Sequence, residues 1–268
     1  YTIVATAGSG GSISPSGNVV VEHGASKSFT ITPDSGYEID DVLVDGSSIG
    51  KVSSYTFNNV TSNHTIEATF KKKTYTIVAT AGSGGSISPS GNVVVEHGAS
   101  KSFTITPDSG YEIDDVLVDG SSIGKVSSYT FNNVTSNHTI EATFKKKTYT
   151  IVATAGSGGS ISPSGNVVVE HGASKSFTIT PDSGYEIDDV LVDGSSVGKV
   201  SSYTFDNVTS DHTIEATFKK KTYTVSLSVN LPDSGILTGE GEYYHGETVN
   251  ISAAANQGFK FVNWTENS

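Results

Sequence analysis

The chain has 268 residues, with 16 lysines and no arginine, cysteine or methionine, and a formal net charge of −12. An acidic chain whose cations are all lysine suits neither nucleic acid nor an anionic membrane surface, both of which favour a basic face and, for phosphate, arginine forks. Lack of cysteine removes disulfides, thiolate metal sites and sulfur nucleophiles, and no stretch approaches the roughly 18–20 apolar residues that span a bilayer.

Self-comparison organises everything else. Tyr1–Thr74, Tyr75–Thr148 and Tyr149–Thr222 are three copies of one 74-residue unit, differing only where Ile49 and Ile123 become Val197, Asn58 and Asn132 become Asp206, and Asn63 and Asn137 become Asp211. A fourth unit over 223–268 is divergent. Its His245-Gly246 matches His23-Gly24, Gly258 matches Gly36, and Phe259 and Phe261 match Tyr37 and Ile39. The domains expected are therefore 1–74, 75–148, 149–222 and a divergent, shortened 223–268. Tyr1 does not read as a natural chain start, so an excerpt of a longer protein is expected.

Along one unit, "YTIVATA", "NVVVE", "KSFTIT", "SYTF" and "HTIEATF" alternate apolar residues with Ser, Thr or charge. That period of two marks strands with one buried and one wet face. "GSGGS", "SPSGN", "EHGAS", "PDSG" and "VDGSS" supply the turn residues between them. Six or seven short strands predict an all-β tandem array of small antiparallel β-sandwich-like domains. Only four residues, 71–74, separate Phe70 from Tyr75, so the domains are expected end to end. The alternation predicts a core of Tyr1, Ile3, Val19, Val21, Phe29, Ile31, Tyr37, Ile39, Val42, Val44, Tyr55, Phe57, Ile66 and Phe70.

The stretch "GYEIDDVLVDGSSIG" at 36–50 raises the question of a site, because Asp40, Asp41 and Asp45 interrupt an apolar run. Tyr37 and Ile39 are odd-numbered and Val42 and Val44 even, so a regular strand cannot bury all four on one face. One extra residue at Asp40-Asp41 restores the phase, which predicts a β-bulge, and Asp45-Gly46 predicts a type I′ hairpin. Unit four keeps the phase break between Phe261 and Trp264 while Val262 and Asn263 replace the two acids and Asn267 replaces Asp45. The acids therefore read as shaping residues. Calcium, which takes six to eight oxygens, and paired-carboxylate catalysis are the alternatives.

Other candidates are fewer. His23 and His64, their copies His97, His138, His171 and His212, and His245 are too far apart in sequence to read as a zinc pair. His23 is expected as a turn residue. Asn59, Asn63 and Asn263 stand in Asn-x-Thr sequons, which carry no information without a glycosylating host. Lys27 shares the parity of Phe29 and Ile31. It is either a snorkelling edge lysine or half of a Lys–Asn isopeptide cross-link, with the candidate pairs Lys27 and Asn59, Lys101 and Asn133, and Lys175 and Asn207. Trp264, at the position of Val42, reads as a core residue, with a sugar-binding aromatic face beside Tyr243 and Tyr244 as the alternative. No catalytic, cofactor or metal residue is assigned.

The run "YYHGETVNISAAANQGFKFVNW" resembles the divergent internalin-type B-repeat, a β module found in tandem in bacterial and archaeal surface proteins. Gly246, the alternating Val249, Ile251 and Ala253, and Gly258-Phe259-x-Phe261-x-x-Trp264 carry the resemblance. Units one to three share it through "HGASKSFTITPDSGYEI". Better-known internalin B-repeats have a β-grasp-like fold with a helix, whereas no helical period appears in this chain. The resemblance implies no shared active site. The expected role is a non-enzymatic spacer or stalk of a cell-surface or extracellular protein, without cofactor. The alternatives are a multivalent adhesive or carbohydrate-binding array, whose partners would be cell-wall or host glycans or surface proteins, and a self-associating filament or surface-layer subunit.

Overall fold

The computed structural model describes residues 1–266; Asn267, aligned above with Asp45, lies outside the described residues. Strands and turns make up the whole, and no helix occurs among the described residues. The first repeat has β1 (Thr2–Ala7), β2 (Gly11–Ser14), β3 (Gly17–Val20), β4 (Lys27–Pro33), β5 (Tyr37–Val44), β6 (Ser47–Gly50), β7 (Ser54–Phe57) and β8 (His64–Lys72). Repeats two and three carry the same eight strands, the first lengthened to Thr74–Ala81 and Thr148–Ala155 and the third to Gly91–Glu96 and Gly165–Glu170.

Two sheets face each other in each repeat. The larger runs β3-β1-β8-β5-β6 and the smaller β2-β4-β7. Ile3, Ala5, Val42, Ile66 and Ala68 from the large sheet meet Ile13, Phe29, Ile31 and Phe57 from the small one, closed by Val21 and Val60. Each fully buried side chain of this kind contributes about 1.5–3 kcal/mol of transfer free energy. Repeats two and three each have an equivalent core of their own.

The sequence predicts antiparallel sandwiches, and one strand pair departs from that. β1 and β8 run parallel, Ile3 opposite His64 and Ala7 opposite Ala68. Parallel neighbours need a long crossover; here the whole of β2 to β7 supplies it, and short-range pattern cannot reveal such a pairing. Eight strands replace the six or seven expected because β2 and β6, four residues each and rich in Gly and Ser, are too short to show alternation. Ala5, Ile13, Val60 and Ala68 join the core unforeseen, whereas Tyr1 is 45% exposed. Its counterparts Tyr75 and Tyr149 are half-buried and pack on their cores.

The chain forms two compact units, Tyr1–Lys145 and from Lys146 onward. Within the first, Lys73 is the single residue between β8 and the next strand, Thr74–Ala81. Its N–H donates to Gly36 O (2.8 Å) and its carbonyl accepts from His97 N (2.8 Å). Within the second, unit four has two two-stranded sheets: Thr222–Val225 with Gly241–Tyr244, and Gly235–Thr238 with Ser252–Ala255.

Candidate functional site

The acidic run of β5 and the hairpin after it hold the densest polar chemistry of the repeat. The β5–β8 register slips between Ile39 and Asp41, so Asp40 is the extra residue and Val42 reaches the core at 0% exposure. That is the bulge expected from the phase break. Asp45 and Gly46, at φ 49° and 78°, form a two-residue turn between Val44 and Ser47, the left-handed pair that a type I′ hairpin requires. A second slip at Val42/Leu43, where Ile49 is the extra residue, gave no sequence signal.

Each acid has protein partners. Asp41 Oδ1 accepts from Val42 N (2.8 Å), Ser48 Oγ (2.8 Å) and Gly50 N (3.1 Å), which fixes both the bulge and the β5–β6 hairpin. Asp40 pairs with Lys71 at 3.3 Å, and Glu38 with Lys71 and Lys51 at 3.6 and 3.7 Å. Asp40 holds the Lys71 ammonium above its ordinary range. This network is exposed, where ion pairs contribute little.

Asp45 reaches across to β8. Its carboxylate accepts from Thr65 N (2.8 Å) and lies 2.7 Å from His64 Nδ1. Desolvation raises the Asp45 pKa, but the bonds from Thr65 and His64, with the attraction of His64, outweigh it and hold the carboxyl below its ordinary value. On the far side of the ring, His64 Nε2 lies 3.2 Å from Ser62 Oγ. Since the carboxylate can only accept, Nδ1 donates to it and a neutral ring accepts the Ser62 proton through Nε2.

Ser62, His64 and Asp45 are thus linked in the order of a hydrolytic triad. The same chain recurs as Ser136, His138 and Asp119, and as Ser210, His212 and Asp193. Sequence reasoning missed it, because only the hairpin brings Asp45 beside a histidine on another strand. Acyl transfer also needs backbone donors aimed at a developing oxyanion. Two backbone amides beside the chain are already committed: Thr65 N to Asp45, and Thr2 N to Asn63 Oδ1 at 2.8 Å. The shallow hollow of about 210 Å³ beside the third copy is lined by Thr150, Val152, Asp193, Asp211, His212 and Thr213, without Ser210. This geometry ties the β5–β6 hairpin to β8. In the third repeat Asp211 Oδ1 accepts from Thr150 N as Asn63 does from Thr2, so that substitution keeps the bond.

Among the described residues no three His, Asp or Glu side chains are placed to hold a metal ion. Lys27 begins β4 opposite Phe57 and is half-buried; Asn59, two residues past β7, is exposed at φ 50°. Lys101 and Lys175 stand opposite Phe131 and Phe205, and Asn133 and Asn207 have the same left-handed backbone. His23 lies in the turn where Gly24 N donates to Val60 O and Ala25 N to Glu22 O. Trp264, expected in a core, is 39% exposed and meets Phe261 edge-on with ring centres 5.6 Å apart. Its counterpart Val42 is covered in a complete sandwich, whereas among the described residues unit four pairs no third strand with either sheet.

A family model described as a divergent InlB B-repeat domain matches residues 1–74, 75–148, 149–222 and 225–268. The chain belongs to the divergent InlB B-repeat family. The three full B-repeats form small all-β sandwiches in tandem, and the family is associated with surface proteins. No curated protein matches the chain. Similar solved structures include the I9–I11 tandem of titin, at 10% identity over 81% of this chain and 95% of that one, with a TM-score of 0.13. The central fibronectin-III array of RIM-binding protein shows 10% identity over 88% and 94%, with a TM-score of 0.15. The N-terminal four Ig domains of a Dscam1 isoform show 8% over 81% and 72%, with a TM-score of 0.14. The B-repeat topology rests on its own strand pairings and not on these likenesses. No helix among the described residues is long and apolar enough to cross a membrane.

Proposed function

We propose that these B-repeats are a non-enzymatic spacer of an extracellular or cell-surface protein, holding a neighbouring domain at a distance. The observation that carries this reading is the self-containment of each full repeat. Each has its own two-sheet core, no buried polar or charged side chain occurs among the described residues, and the acids that look most chemical are hydrogen-bonded within the repeat. Near-identical modules of this kind can be added or removed without redesigning a core. The test is to delete or add one 74-residue repeat in the native protein. A spacer keeps the activity of the neighbouring domain and changes its reach in step with repeat number; loss of that activity at unchanged reach overturns the reading.

A second reading, a multivalent glycan-binding array, draws support from unit four. A cavity of about 350 Å³ there is lined by Leu231, Phe259, Phe261 and Trp264 among others, and exposed aromatic rings suit the apolar faces of sugars. A screen of the whole chain against cell-wall and host glycans separates the two: binding that Trp264→Ala abolishes favours the array.

A further inference from the structure

We infer that the repeats recognise one another through a glycine notch that accepts the histidine of the following repeat, so that each such joint is a specific docking surface and not a swivel. The notch is Gly36, at the turn into β5. It is buried although it lies in a turn, and a Cβ built on it would overlap the His97 ring, 2.7 Å from both Cγ and Nε2. His97 belongs to the next repeat. There its ring centre lies 5.9 Å from that of Tyr75, with Nδ1 3.3 Å from the Tyr75 hydroxyl. Lys73 bonds to both sides, its N–H to Gly36 O and its carbonyl to His97 N.

Unit four supplies an independent observation, because its sequence differs from the other three at most positions. Within the second compact unit, Gly184 meets His245 as Gly36 meets His97, a Cβ on Gly184 falling 2.8 Å from Cγ and 3.0 Å from Nε2. Lys221 N donates to Gly184 O and His245 N to Lys221 O, both at 2.9 Å, and the Tyr223 and His245 rings lie 5.9 Å apart. Two joints with different following modules thus share one contact. The partner the notch fits is defined by chemistry: a module whose first strand carries Tyr as its second residue and whose later turn presents His-Gly beside it. Bulk at the glycine, or loss of the imidazole, removes the fit. The joint is separate from the spacer role, since a binding array could use it equally.

The joint between repeat three and unit four is the one to test, because its peptides are unique in sequence, whereas those of repeats one to three are nearly identical. Hydrogen exchange of the full chain is measured for peptides covering Lys221 and His245 in the parent, Gly184→Ala, His245→Ala and the double variant. Gly184 is at φ 80°, so alanine there is strained whatever surrounds it; the cycle separates that strain from the clash. Gly184→Ala is expected to speed exchange at these amides by tenfold or more, and His245→Ala severalfold. Adding His245→Ala to Gly184→Ala is expected to restore part of the protection, since the ring that the new Cβ overlaps is gone. A double variant no better protected than Gly184→Ala, or a His245→Ala chain that exchanges like the parent, overturns the proposal.

Discussion

Asp45 and His64 stand 19 residues apart in the chain and 2.7 Å apart in the fold. The bond joins a hairpin tip to the first residue of β8, and it recurs at Asp119–His138 and Asp193–His212. Because the folded state holds these carboxyls below their ordinary value, their contribution is fully present above the unfolded pKa of about 3.9. It is lost as pH falls through the lower folded value. Replacing Asp45, Asp119 and Asp193 together by Asn, which tolerates the left-handed backbone, should flatten the acid limb of a stability–pH profile below about pH 4. An unchanged acid limb in thermal melts would show that the bond carries no linkage.

Ser62 should not act as a nucleophile. Replacing Ser62, Ser136 and Ser210 by Ala should leave the slow hydrolysis of p-nitrophenyl acetate unchanged and show no acylation burst in the parent. A burst that the serine variants lose would assign these repeats a hydrolytic activity.

Removing the Asp41 carboxylate should be costly, because Val42 N and Ser48 Oγ lose this acceptor and Gly50 N keeps only Ser48 Oγ at 3.3 Å. Bonds of this charged type contribute about 1.5–3 kcal/mol, so Asp41→Ala made in all three repeats should lower the melting temperature by several degrees. EDTA should leave the melting temperature of the parent unchanged; a drop restored by calcium would show that the acids hold a cation.

Intact mass spectrometry should find the full residue mass, with no ammonia lost. An isopeptide needs a neutral lysine amine, which desolvation favours. Lys27 is only half-buried and Asn59 is exposed. Loss of one ammonia per repeat would assign the cross-link to Lys27–Asn59 and its copies.

Residues 223–268 should not fold alone. Phe259, Phe261 and Val262 are 45%, 46% and 83% exposed, and each of the two sheets there has two strands, a size marginally stable in water. A cooperative melt of that fragment, followed by circular dichroism, would refute this.

The repeat, the strand class and the bulge were determined by sequence, for one physical reason. Side chains alternate across a strand with a period of two, so Tyr37, Ile39, Val42 and Val44 betray an extra residue wherever the parity breaks, and three copies of one unit expose their own boundaries. What tertiary structure decided is every relationship between residues far apart in the chain. The parallel seating of β1 on β8, the approach of Asp45 to His64, and the burial of Gly36 under the histidine of the next repeat leave no periodic trace, because none lies within one strand. The exposure of Trp264 belongs with these: its residue type argues for a core, and only the count of strands around it decides whether a core exists.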